Sequence, residues 1–268
     1  MKRWSWVALI AVLLGTVLLG HSQQVQPQLE VELTEAVASG LVHCTAMAGE
    51  DLTHVVVHLE NPGPQTLRIL ILPGTVFGPG DPEYQHMGVI DTVAVVLSPG
   101  EKKEVLVPTA CLDKDLKGPE QGMDMDLMPE AEAGLIARLA SSPTFQQAPF
   151  RVRQFAIWTV LSRPASLDDY PGLGLGQKFV ESLEALGFPV EILVYFFIAP
   201  EVVYELPEED IEVLAFVFTL AGIPVESADD LYRLFSTGGP TKGELAQVRQ
   251  ILEEASLPVE DYPIFAMG

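Results

Sequence analysis

Basic side chains, cysteine and long apolar runs are all scarce in this 268-residue chain. Fifteen lysines and arginines stand against 37 aspartates and glutamates, a formal net charge of −22. That balance repels phosphate backbones and anionic lipid headgroups, so it argues against nucleic-acid binding and polybasic membrane adhesion. Past the N-terminus no segment reads as a membrane span: residues 192–198 are too few, and 211–223 is interrupted by Glu212. Both read as buried elements. Of the two cysteines, Cys44 and Cys111, neither follows directly on the N-terminal apolar run, so no residue there is expected to carry a lipid. Missing too are a nucleophile elbow, HExxH, a Walker loop and a paired catalytic carboxylate. Residues 172–176 alternate glycine and leucine, but without G-x-G-x-x-G spacing or a preceding strand they form no dinucleotide loop. The chain is expected to be no enzyme and to need no cofactor.

What is present starts with an address. Lys2 and Arg3 precede an apolar stretch over 6–19, and Gly20 and Ser22 sit three and one positions before a cut at 22/23. Residues 1–22 therefore read as a secretory signal, and the product as secreted or periplasmic with no stable membrane anchor. Cleavage leaves 37 acidic against 13 basic side chains. Hydrophobic residues at 48% supply material for a packed core, so the acidity does not imply disorder.

Two periodicities divide the rest. Over 23–112 short alternating runs are separated by turn residues: Val55, Val57 and Leu59 alternate with His54, Val56 and His58, and Asn61-Pro62-Gly63 and Ser98-Pro99-Gly100 punctuate the chain. About seven such strands predict an α+β chain whose N-terminal part is an immunoglobulin-like antiparallel β-sandwich. Residues 113–128 read as a connecting loop. Residues 129–268 turn helical, with Phe155, Trp158 and Leu161, then Phe179, Leu183 and Leu186, at helical spacing. Three helices there share one exit, at Gly187-Phe188-Pro189, Gly222-Ile223-Pro224 and Ser256-Leu257-Pro258. The spacing of about 35 residues predicts stacked helix-pair repeats. Ser227 with Asp230 and Thr241 with Glu244 read as helix caps, and Pro207 with Glu208 as a helix start.

Few residues suggest chemistry. His54 and His58 lie on one face of a strand, roughly 13 Å apart, too far to share a zinc ion. Asp124, Asp126 and Glu130 form a weak calcium candidate without the rest of a calcium loop; a solvated loop leading into a helix explains them equally. Outside the cytoplasm the pair Cys44 and Cys111 is a disulfide candidate, with free thiols as the alternative.

The turn Pro73-Gly74-Thr75 with Phe77, the turn Pro99-Gly100-Glu101, the strand end Cys111-Leu112 and the helix motif Gln154-Phe155-Ala156-Ile157-Trp158 resemble uncharacterised secreted bacterial proteins with an immunoglobulin-like sandwich. That resemblance covers about residues 50–160 and implies a fold and a location, but no activity. The cysteine–glutamine pairing is also similar to bacterial thioester adhesin domains, which implies a thioester between Cys111 and Gln154 that captures amines. Ala110 stands where that family has an aromatic residue, and the separation is short. The expected function is non-enzymatic binding or scaffolding with an unknown protein partner; the alternative is a covalent adhesin using Cys111 and Gln154.

Overall fold

The structure, a computed structural model, describes residues 29–128, 133–173, 181, 183–189 and 191–266. The expected signal, Glu130, Phe179 and most of the glycine–leucine stretch fall outside them. Strands come first: β1 (Leu29–Glu32), β2 (His43–Ala48), β3 (His54–Glu60), β4 (Leu67–Ile71), β5 (Val76–Gly78), β6 (Met87–Val89), β7 (Val93–Leu97), β8 (Lys102–Cys111) and β9 (Asp124–Met128). A short helix, α1 (Leu33–Ala38), follows β1 directly, cutting short the alternation that begins at Leu29.

These strands do not form an immunoglobulin-like sandwich. Six close into a barrel in the order β2-β3-β8-β6-β5-β9, and β1-β4-β7 make a separate sheet in which β1 runs parallel to β4. Alternation reports that one face of a strand is buried; it does not report whether the sheet closes. The closing strand is β9, which pairs Met125 with Ala46 and Leu127 with Phe77. It lies inside the stretch read as a connecting loop, where its acidic outer positions mask a buried Met125. Inward positions of β3 are fully buried at Val55, Val57 and Leu59, while His54, Val56 and His58 face outward. Side chains fill a barrel this narrow.

A helical layer continues the same core. It comprises α2 (Ala133–Ala140), α3 (Pro143–Gln147), α4 (Phe150–Ser162) and, from far along the chain, α8 (Lys242–Glu254). Helix α4 is buried over nine of its thirteen residues, Arg151, Gln154 and Thr159 among them. Between α4 and α8 the chain makes α5 (Glu191–Ile198), α6 (Glu208–Leu220) and α7 (Ala228–Ser236), which surround a second, separate core. Leu214, Phe218, Leu231 and Phe235 are its centre, with Phe196 stacked on Phe235 at 5.1 Å.

This insert leaves and rejoins the first core at one neck. Leu173 N donates to Gly238 O at 3.2 Å. A Cβ on Gly172 would collide with the Thr237 carbonyl, and Gly238 adopts φ +65°, so the close crossing needs both glycines. Arg151 closes the neck from α4. Its guanidinium donates to Glu244 on α8 (2.9 and 3.3 Å) and to the carbonyls of Leu173, Gly238 and Gly239. Thr241 N also donates to Glu244, so the buried carboxylate is shared between helix cap and neck.

The three similar helix exits have one geometry. Gly187, Gly222 and Ser256 all have φ between 55° and 91°. Each time the next residue's N–H reaches back five positions: Phe188 to Leu183, Ile223 to Phe218, Leu257 to Leu252. This is the Schellman ending, with its apolar contact across the turn.

Candidate functional site

Of the described residues that the sequence marks for chemistry, one pair is brought together. Helix α4 carries Gln154 to the end of β8, where Gln154 Oε1 accepts from Cys111 N at 2.8 Å and Gln154 Nε2 donates to Cys111 O at 2.7 Å. β3 begins at His54, opposite Pro108, so beyond Thr109 the β8 backbone has no neighbouring strand on that side. By using one N–H and its oxygen on the same residue, the carboxamide takes the place of a peptide group there. The Cys111 thiol turns elsewhere, to Met87 Sδ at 3.8 Å, and burial pushes it up to about 12.

Cys44 is not part of this arrangement. It pairs with Leu59, which is level with Lys103, eight residues before Cys111 on β8. Round the other side of the barrel four strand steps separate the two cysteines. A disulfide needs Cα atoms within about 7 Å, so the expected bond does not form, and both thiols are free. Burial raises Cys44 to about 11.

Asp124 and Asp126 sit on one exposed face of β9, and among the described residues no three His, Cys, Asp or Glu gather as a metal site. His43, His54 and His58 lie near Glu60, Asp51 and Glu104 respectively, at 3.3–3.8 Å on the outer surface. A wide depression of about 540 Å³ is lined by His86, Asp113, Asp115 and Ser162 among others.

The two apolar runs whose sequence predicts buried elements are buried on one side only. Nine of the fourteen exposed large apolar side chains among the described residues fall between 186 and 232, around the second core. On α6, Leu214 and Phe218 are buried, yet Val213, Phe216 and Leu220 are 59%, 64% and 57% exposed. At 100° per residue the two sets lie on opposite sides of the helix. A helix apolar all round is normally covered all round; α6 is covered on one side. The readable signal was the lack of any polar face over 213–218, against a first turn of Glu208, Glu209 and Asp210. Ile198, at the end of α5, is 78% exposed.

Compared with known proteins, the chain matches no family model, no curated protein and no solved structure. Among the described residues no helix is long and apolar enough to cross a membrane.

Proposed function

We propose that this chain is an exported, non-enzymatic binding protein, in which the barrel and its helical layer hold out an insert that engages another polypeptide. The observation that carries this reading is the uncovered apolar stripe Val213–Phe216–Leu220 on α6. Its i, i+3, i+7 spacing is that of a helix-in-groove or helix-on-helix contact, and large exposed apolar patches mark such surfaces. Export is supported by the basic, apolar and small-residue order of residues 1–22. The test replaces Phe216 with the photocrosslinker benzoylphenylalanine in the producing cell. A discrete adduct is expected at that position and none at Leu106, which is 62% exposed on the barrel wall. Equal labelling at both positions, or none at Phe216, rejects the reading. N-terminal sequencing of the exported protein is expected to begin at Gln23.

A second reading keeps the covalent adhesin, because Cys111 and Gln154 are adjacent in space. Thioester formation joins the thiol sulfur to the Gln154 carbonyl carbon and expels ammonia. It requires the carboxamide to give up both backbone bonds and the thiol to leave Met87. An intact mass lower by one ammonia supports it; the unmodified mass removes it.

A further inference from the structure

The uncovered stripe on α6 has a rim of one sign. Between Lys178 and Arg233 the chain contains twelve aspartates and glutamates and no lysine or arginine. On the helical wheel Glu209 continues the line of Val213, Phe216 and Leu220 towards the N-terminus, and Asp210 and Glu212 lie on either side of it; all three are exposed. Glu201 and Glu205, just before the helix, are exposed as well. Among the described residues no lysine or arginine of the insert neutralises this rim, since Arg233 points to Asp168 at 3.9 Å, beside the neck.

From this we infer that the occupant of the stripe is a cationic amphipathic helix of another polypeptide, with apolar residues at i, i+3 or i+4 and i+7 and lysine or arginine flanking them. The inference rests on the binding role proposed above and adds the chemistry of the partner. Charge decides between occupants. A second copy of this chain would set two acidic rims against each other, and an anionic bilayer would be repelled in the same way. A cationic helix covers the apolar stripe and pairs with the rim in one step, and electrostatic complementarity of that kind sets register and on-rate.

The probe is an amphipathic peptide of leucine and lysine, about five helical turns long, together with its leucine–glutamate counterpart of identical apolar pattern. Each is titrated onto the signal-free chain by fluorescence anisotropy. The lysine peptide is expected to bind and the glutamate peptide not to. Double substitution Phe216→Ser with Leu220→Ser weakens binding at least about tenfold, the loss typical of truncated interface anchors. Glu209→Gln with Glu212→Gln weakens it and flattens its salt dependence. All four positions are exposed, and an unchanged thermal midpoint certifies the fold of each variant. Equal binding of both peptides, or undiminished lysine-peptide binding by the serine variant, overturns the proposal. So does retention on phosphatidylglycerol vesicles, or a dimer in sedimentation that the serine variant abolishes. A discrete crosslink from Phe216 combined with no lysine-peptide binding rejects this inference and leaves the binding role standing.

Discussion

Replacing Arg151 with methionine tests the neck. The guanidinium makes its hydrogen bonds in a site where its side chain is 9% exposed and that of Glu244 is fully buried. Methionine restores the aliphatic stem but leaves the Glu244 carboxylate without its cation and the carbonyls of Leu173, Gly238 and Gly239 without their donor. Breaking one partner out of a buried ion pair costs about 3–5 kcal/mol, mostly the penalty of the charge left behind. Glu244→Gln in the same chain removes that charge while keeping an acceptor for Thr241 N, so the double variant is expected to recover most of the loss. Equilibrium unfolding in urea measures both values. Limited proteolysis supplies a second readout: in the single variant new cuts are expected near residues 171–173 and 237–239, because the crossing there is held from α4. A loss below about 1 kcal/mol in the single variant, or a double variant no better than the single, refutes the assignment of Arg151 as the clamp.

Other expectations follow from the helical layer and the barrel. Glu254 on α8 accepts from Ser142 Oγ, Thr144 N and Oγ1 and Gln250 Nε2, and these bonds, Ser142 first, hold its carboxyl down to about 2. Its contribution is complete above the ordinary carboxylate range and disappears as pH falls towards 2; the stability gap between the protein and Glu254→Gln is therefore expected to shrink from pH 6 to pH 2, and a constant gap contradicts it. Ser256→Gly is expected to stabilise by about 0.5–1 kcal/mol, the left-handed penalty less the added entropy of glycine, seen as a raised urea midpoint. Gln154→Ala strands a buried donor and acceptor on Cys111 and is expected to cost about 3 kcal/mol by urea unfolding. At pH 8 the buried Cys111 thiol of the folded protein is expected to resist iodoacetamide and the half-buried Cys44 thiol to react more slowly than in denaturant; a Cys111 that reacts as fast folded as unfolded contradicts its burial.

Local rules were legible along the chain, and closure was not. The alternation at 54–59, the turn at Asn61, the caps at Ser227 and Thr241 and the three proline-marked exits each rest on a few adjacent residues, and each stands in the structure. Barrel closure depends on β9 meeting both β2 and β5, and nothing within Asp124–Met128 names those partners. The Arg151–Glu244 pair spans 93 positions, and two charged residues in a chain this acidic give no hint that they are buried together. The motif around Gln154 did point to Cys111, but what the pairing supplies is a substitute backbone rung at the end of a strand. The stripe on α6 was missed for a different reason: apolar residues at every azimuth signal burial, and sequence cannot say that one side of the burial is missing.

The neck has a consequence for design. Leu173 and Gly238 are joined by a backbone hydrogen bond, so the segment between them starts and ends at neighbouring points; it also touches the first turn of α8, where Thr241 Oγ1 donates to Pro224 O at 2.6 Å and Lys242 N to Asp230 Oδ1 at 2.8 Å. A segment with touching ends and its own core places little closure demand on its host. Exchange for another helical cassette would leave the contacts within β2–β9 and between α4 and α8 in place, but the new segment must replace the acceptors that Pro224 and Asp230 give the start of α8. The barrel is then a chassis to which such a segment can be fitted as one piece.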